Sequence, residues 1–296
     1  MGTDVGVLLG FLAALGYGAS DFIAGAAGRR GHPGAVAAVA QPLGIATAAL
    51  AVVALRAHDP SPGALWWGAL SGVGTGVGTM ALYWGLSVSR MSVVAPISGV
   101  LTAGLPAIAG ALIGQHLSVL AWAGVAAGIP SVALVSAQPG DGQGGTGRRA
   151  GVIAGLTAGA GFGLLFIALD RAGTRAGAWP LLPGQAVGTA IILTWLIPAR
   201  NRPRREAWGA SWRYAIAAGT LGGVANLLYL AATGAGQLAV VAVVTALYPA
   251  VTILLARVAF RERWSPVQVA GLAVSAFAIA AVSIGLPVDV GGLQHG

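Results

Sequence analysis

Gly6 to Gly18 reads GVLLGFLAALGYG, and Gly151 to Gly163 reads GVIAGLTAGAGFG. Both runs obey the pattern G-V-x-x-G-x-x-A-x-x-G-x-G, so the chain carries one hydrophobic module twice. A second register agrees: Ser92 to Ser136 lies over Ala239 to Ser283 without a gap. If each copy holds five spans, the odd number of crossings inserts the second copy upside down relative to the first. Inverted repeats of this kind are characteristic of secondary transporters.

Composition fixes the solvent. Of the 296 residues 56% are hydrophobic and only 8% charged, against about 25% charged in a soluble globular domain, and the mean hydropathy is +0.82. The expected fold is an all-α polytopic membrane protein with ten transmembrane helices in two inverted five-helix repeats. Stretches of about 20 apolar residues fall near Val5 to Ala27, Ala35 to Leu55, Leu65 to Val88, Val93 to Ile113, Val119 to Ala137, Gly151 to Leu169, Trp179 to Pro198, Tyr214 to Thr233, Leu238 to Phe260 and Pro266 to Leu286. The first repeat would occupy residues 1–138, a Gly-rich linker 139–150, the second repeat 151–288 and a tail 289–296. Connections are short, which leaves no room for a soluble catalytic domain.

The opening MGTDVG lacks the basic region and cleavage site of a signal peptide, so the first helix is expected to remain as a span. Cysteine is absent, which excludes disulfides, thiolate nucleophiles and Cys-ligated zinc. The net charge of +8 is carried by loop arginines facing anionic lipid, and no basic-aromatic nucleic-acid module is visible. Arg29, Arg30, Arg90, Arg148, Arg149, the run from Arg200 to Arg213, Arg261 and Arg263 fall on one side of the alternating spans. Only Arg56, Arg171 and Arg175 fall on the other, so the positive-inside rule places both termini outside.

Glycines at four-residue spacing, such as Gly151, Gly155, Gly159 and Gly163, let helices approach closely. The third helix carries Ser71, Thr75, Thr79 and Tyr83 at i, i+4 spacing, a single stripe expected to face the bundle interior. The eighth offers Asn226 and Tyr229, the ninth Thr245 and Tyr248, and the fourth Ser98 and Thr102. Isolated hydroxyls often bond their own helix carbonyls, whereas Asn and Tyr near mid-span call for a polar pocket. Asp21, after Tyr17 and Ser20, is the sharpest residue: a carboxylate at the bilayer centre costs roughly 2.5 to 3.5 kcal/mol. Its equivalent in the second copy is Phe166, so the repeat architecture does not need the acid. Asp21 is a coupling site for protons, a counter-ion for a substrate amine, or a structural acid bonded to Gln41 or another polar neighbour. The candidate substrate site is therefore Tyr17, Asp21, Gln41, Thr79, Tyr83, Asn226, Tyr229, Thr245 and Tyr248.

Two segments carry a family likeness. LYWGLSVSRMSVVAPISGVLTAGLPAIAGALIGQHLS from Leu82, and LYLAATGAGQLAVVAVVTALYPAVTILLARVAFRERWSP from Leu228, are each followed by a final span. Together they resemble the two halves of an EamA-type transporter of the drug/metabolite transporter superfamily. GYGASDF from Gly16 is similar to the family's aromatic-Gly turn. The acidic turn before the last helix is present as Glu262, while Gln115 replaces it in the first copy. The resemblance implies ten helices, cytoplasmic termini, a cavity lined by the third, fourth, eighth and ninth helices, and export of amino acids or drug-like solutes. Its cytoplasmic termini conflict with the arginine count.

The chain is thus expected to be a non-enzymatic carrier in the plasma (inner) membrane of a prokaryote, embedded in the lipid bilayer, as monomer or homodimer. It would take a small-molecule substrate, with protons as the candidate coupling ion and without cofactor, metal or nucleic acid. The rival readings are a non-transporting scaffold or sensor, and a membrane-embedded enzyme acting on lipid-linked substrates. The four histidines, His32, His58, His116 and His295, sit singly in loops or the tail and offer such an enzyme no converging site.

Overall fold

The computed structural model describes residues 2–54, 61–114, 117–136, 145–173, 176–198, 202–235, 244–245, 248–261 and 264–285. Ten helices lie among them: α1 (Gly2–Arg30), α2 (Pro33–Ala54), α3 (Pro62–Val88), α4 (Met91–Leu112), α5 (Val119–Ser136), α6 (Gly145–Ala172), α7 (Leu181–Trp195), α8 (Arg205–Ala235), α9 (Tyr248–Phe260) and α10 (Pro266–Gly285). By length and apolar composition α1, α2, α4, α6 and α10 contain spans able to cross a membrane, and α5, α7 and α9 contain shorter apolar stretches. α3 and α8 have the length, but their Gly, Ser and Thr residues dilute the apolar character. These same two helices carry Tyr83, Asn226 and Tyr229.

Helix ends depart from the apolar stretches in an orderly way. α8 starts at Arg205, inside the basic run and well before Tyr214, because helix hydrogen bonding continues in water beyond the apolar segment. α6 likewise starts at Gly145, within the stretch read as linker. α7 is shorter than its predicted span, since a turn over residues 176–180 replaces its first residues. Residues 139–144, the tail 289–296 and much of the N-terminal half of the predicted ninth span lie outside the described residues.

The packing repeats itself under exchange of the two halves. α6 packs on α3 as α1 packs on α8, α4 on α6 as α9 on α1, and α3 on α7 as α8 on α2. α2 with α7, α4 with α9 and α5 with α10 each join equivalent helices of the two repeats. This reciprocity is what an inverted duplication produces, and side chains mark it. Gln41 Nε2 donates to Gln185 Oε1 at 2.6 Å between α2 and α7, and the Ser131 and Ser275 hydroxyls meet at 2.8 Å between α5 and α10.

Glycine sets the crossing distances. A Cβ on Gly161 would stand 2.7 Å from Gly78 N and 2.8 Å from Gly74 O, so α3 and α6 touch backbone to backbone. At the equivalent crossing a Cβ on Gly16 would stand 2.9 Å from Ala225 Cβ and 3.5 Å from Leu221 O. The four-residue glycine face of α6 lies on α4, where Gly155, Gly159 and Gly163 receive Ile97, Leu101 and Leu105. Gly72 and Gly76 of α3 interlock with Gly184 and Gly188 of α7. Without a hydrophobic drive between helices in lipid, such close van der Waals contact is a main source of association.

One core cluster spans both halves, with Ala24, Val36, Leu86, Met91, Ala158 and Ala218 among its fully buried members. Large apolar side chains such as Leu8, Val53, Trp66, Ile129, Val258 and Phe277 stand outside, as a lipid-facing surface requires.

At one end of the bundle, Arg29 donates to Leu86 O at 3.0 Å and Ser89 O at 2.6 Å, and its guanidinium lies 4.4 Å from the Phe260 ring centroid. Arg30 donates to the Tyr214 hydroxyl at 3.0 Å, and Gly31 lies against Ala207 and Ser211 at the start of α8. The arginines that the sequence distributes over alternate loops therefore gather at one end.

Candidate functional site

Three of the chain's five tyrosines are in electrostatic reach of one acid, Asp21. Tyr17 and Asp21 lie one helical turn apart on α1. The Tyr17 hydroxyl donates to Asn226 Oδ1 at 2.6 Å, tying α1 of the first repeat to α8 of the second. Its ring meets Tyr248 of α9 edge to face, with centroids 6.1 Å apart and planes at 65°. Tyr229 is in electrostatic reach of Tyr17, and Asp21 acts on Tyr17, Tyr83 and Tyr248. Tyr83 is buried on α3, whereas Tyr17, Asp21, Asn226, Tyr229 and Tyr248 are each half-buried.

Glycine makes the convergence possible. At Gly18 the α1 backbone lies so close to α9 that a Cβ would stand 2.6 Å from Tyr248 O. The Thr252 hydroxyl donates to Gly18 O at 3.1 Å, and the Ser20 hydroxyl to Ala218 O at 2.8 Å. These bonds clamp α1 on both α9 and α8 in the turn just before Asp21.

The carboxyl itself is left over. Among the described residues no hydrogen bond or ion pair reaches Asp21. The structural alternative that paired it with Gln41 is not what the structure contains, since the Gln41 amide donates to Gln185 between α2 and α7. Thr245 donates to Gly10 O at 3.3 Å and so fastens its segment to α1. Thr79 is buried on α3, one turn from Tyr83. The predicted α3 stripe is indeed buried, but it divides: Ser71 and Thr75 bond to Gly68 O and Ser71 O of their own helix beside the α7 glycines, and Tyr83 faces the acid.

The second copy has no such cluster. The position equivalent to Tyr17 is Phe162, whose ring lies over Gly78 of α3, and the position equivalent to Asp21 is Phe166, 46% exposed on the outer surface. The polar group is built on one side of the pseudo-symmetric frame only. Trp84 is also on the outside, 37% exposed.

Sequence reading missed Gln185, although it lies near the repeat-equivalent of Gln41 and the duplication could have pointed to it. It also missed the buried Gln268, which donates to Ser92 Oγ at 3.2 Å, because no periodicity singles out a lone amide. On α4 the Ser98 and Thr102 hydroxyls lack a partner among the described residues. No group of three or more His, Cys, Asp or Glu among the described residues could hold a metal ion.

A helical membrane protein of two reciprocal repeats, with an acid unpaired among the described residues and aromatic hydroxyls where the repeats meet, has the architecture of a solute carrier. The EamA-like transporter family model matches residues 4–137 and again 149–284, and the chain belongs to that family. A solved protein described only as "Crystal structure of protein" aligns over 96% of this chain and 99% of its own, with a TM-score of 0.56 and 17% identity, a likeness of fold alone. Among curated proteins no match is found.

Proposed function

We propose that the protein is a secondary carrier of a prokaryotic plasma (inner) membrane that exports a small organic solute by alternating access between its two inverted repeats. The repeats would be residues 1–138 and 151–288, joined by the 139–150 linker. The observation that carries this reading is the Tyr17–Asn226 bond of 2.6 Å beside an acid with no partner among the described residues. It links opposite repeats beside a half-buried acid that can take up a proton or a cation.

Substrate would sit at this junction, oriented by Tyr17, Asn226, Tyr229 and Tyr248, with Tyr83 and Thr79 on the α3 side. Rocking of one repeat against the other over the glycine crossings would expose the junction to alternate sides. Asp21 would hold a substrate cation or the coupling proton, and no catalytic step, cofactor or nucleic acid enters this scheme. The carrier would act as a monomer or homodimer.

The test is uptake of a mixed radiolabelled amino-acid and amine pool into proteoliposomes, with and without a pH gradient, for the natural protein and Asp21→Asn. Gradient-driven uptake that disappears in Asp21→Asn is expected. Equal flux in both proteins would remove Asp21 from the cycle, and no flux above empty liposomes would favour the scaffold or sensor reading.

A further inference from the structure

Resting on that carrier reading, we infer that the substrate is an organic monocation, a substituted or quaternary ammonium without a carboxylate, held by Asp21 inside a partial cage of Tyr17, Tyr83 and Tyr248. Three observations carry it: the charge of the site, the absence of a second charge, and the ring geometry.

A carboxylate within the membrane is costly unless it is paired or protonated, and among the described residues no cation pairs with Asp21. It contains no lysine, and α3 has no arginine at all. On α1 the nearest arginine, Arg29, is eight residues beyond Asp21, about 12 Å along the axis at 1.5 Å per residue, and it is engaged with the Leu86 and Ser89 carbonyls. On α8 the arginines are Arg205 and Arg213, more than three turns before Asn226. On α9, Arg257 turns away and stacks 4.3 Å from the Trp264 ring centroid. A positive charge for Asp21 therefore comes from outside the described residues, as a proton or as a cationic ligand that competes with it for the same carboxyl.

The same inventory excludes a second ligand charge. A zwitterionic amino acid would bring its own carboxylate into a site that already holds Asp21 and, among the described residues, offers no cation to receive it. Two like charges in a poorly hydrated site are strongly disfavoured. Asn226 turns its Oδ1 to Tyr17, and its Nδ2 is a neutral donor that brings no positive charge.

The rings then favour a particular cation. Tyr17 and Tyr248 pack edge to face with planes at 65°, and Tyr83 of α3 is in electrostatic reach of the same acid. Ammonium and methylammonium groups bind to the faces of such rings. The second repeat, with Phe162 over Gly78 and Phe166 facing outward at the equivalent positions, lacks both the acid and the tyrosine, so one such site is expected per chain.

Choline and glycine betaine are a matched pair, alike in the trimethylammonium group and differing in a hydroxyl against a carboxylate. Equilibrium binding of each, radiolabelled, to the full-length protein in detergent gives the primary test, with tetraethylammonium as a bulkier probe. At least one of the two carboxylate-free cations should bind. Glycine betaine and the Asp21→Asn variant should each show affinity at least about thirtyfold lower, the loss of one charge pair in a partly screened site. Tyr248→Phe, which keeps the ring, should retain binding, while Tyr248→Leu should lose most of it.

Glycine betaine bound as tightly as choline, unchanged choline binding in Asp21→Asn, or no binding of either cation would each overturn the inference. Proteoliposome uptake separates the two levels. Amino-acid flux without any cation binding leaves the carrier reading standing and removes the monocation, whereas absence of both flux and binding removes both.

Discussion

Replacing Gly161 by alanine tests the architecture at its tightest point. The added methyl would stand 2.7 Å from Gly78 N and 2.8 Å from Gly74 O, both backbone atoms of α3, so no side-chain rotation can make room and the helices must separate. Overpacking costs typically 1 to 3 kcal/mol, and rigid backbone on both contacts puts this site at about 3. Alanine recovers about 1 kcal/mol through helix propensity, leaving a net loss of about 2 kcal/mol. Gly104→Ala is the control: nothing lies within 4 Å of its Cβ position, so only the propensity gain of about 1 kcal/mol remains. Gly16→Ala should fall between them, because its closest neighbour is the Ala225 methyl. Equilibrium unfolding of the purified protein in mixed detergent micelles reads all three. Gly161→Ala as stable as Gly104→Ala would refute the close α3–α6 crossing and with it the packing on which the repeat frame rests.

Three further expectations follow from other contacts. In a double-mutant cycle, Gln41→Leu and Gln185→Leu should couple by about 0.6 to 1.7 kcal/mol, the span measured for membrane hydrogen bonds, and additive losses would place the two amides apart. The natural absence of cysteine allows single-cysteine labelling with an impermeant maleimide in intact cells. The gathering of arginines at one end predicts that Gly63→Cys labels and Gly209→Cys, in the first turns of α8, does not; the reverse pattern would match the family's cytoplasmic termini and defeat the charge argument. His32, between α1 and α2, accepts the Gly34 N–H on Nδ1 and is held below its ordinary value of 6.5 by burial. The folded state thus prefers neutral His32, so its contribution to stability is present above about pH 6.5 and is lost as pH falls. A midpoint of unfolding in which His32→Gln keeps the same acid dependence would exclude this group as its source.

Much of this protein was legible along the chain because lipid makes sequence explicit. Spans are read from apolar runs, since a crossing helix has no other way to satisfy its backbone, and the G-V-x-x-G-x-x-A-x-x-G-x-G repeat exposes the duplication directly. Asp21 stood out because charge within an apolar run is costly, and Tyr17, Tyr83, Asn226, Tyr229 and Tyr248 because polar groups at mid-span need partners. Helix ends were less legible: α8 runs back to Arg205 because hydrophobicity marks where lipid ends, while hydrogen bonding sets where a helix ends.

Local sequence was enough to establish the membrane class, the two copies and a mid-span acid, Asp21, without an equivalent in the other copy, all of which depend on local composition and self-similarity. Tertiary structure alone decided which polar groups meet. Whether Gln41 turns to Asp21 or to Gln185, whether Tyr17 finds Asn226, and whether Phe166 faces inward or outward depend on helix rotation and crossing distance. Those are fixed by contacts such as Gly18 against Tyr248 and Gly161 against Gly74, between residues more than eighty positions apart in the chain. No window of local sequence contains both members of such a contact.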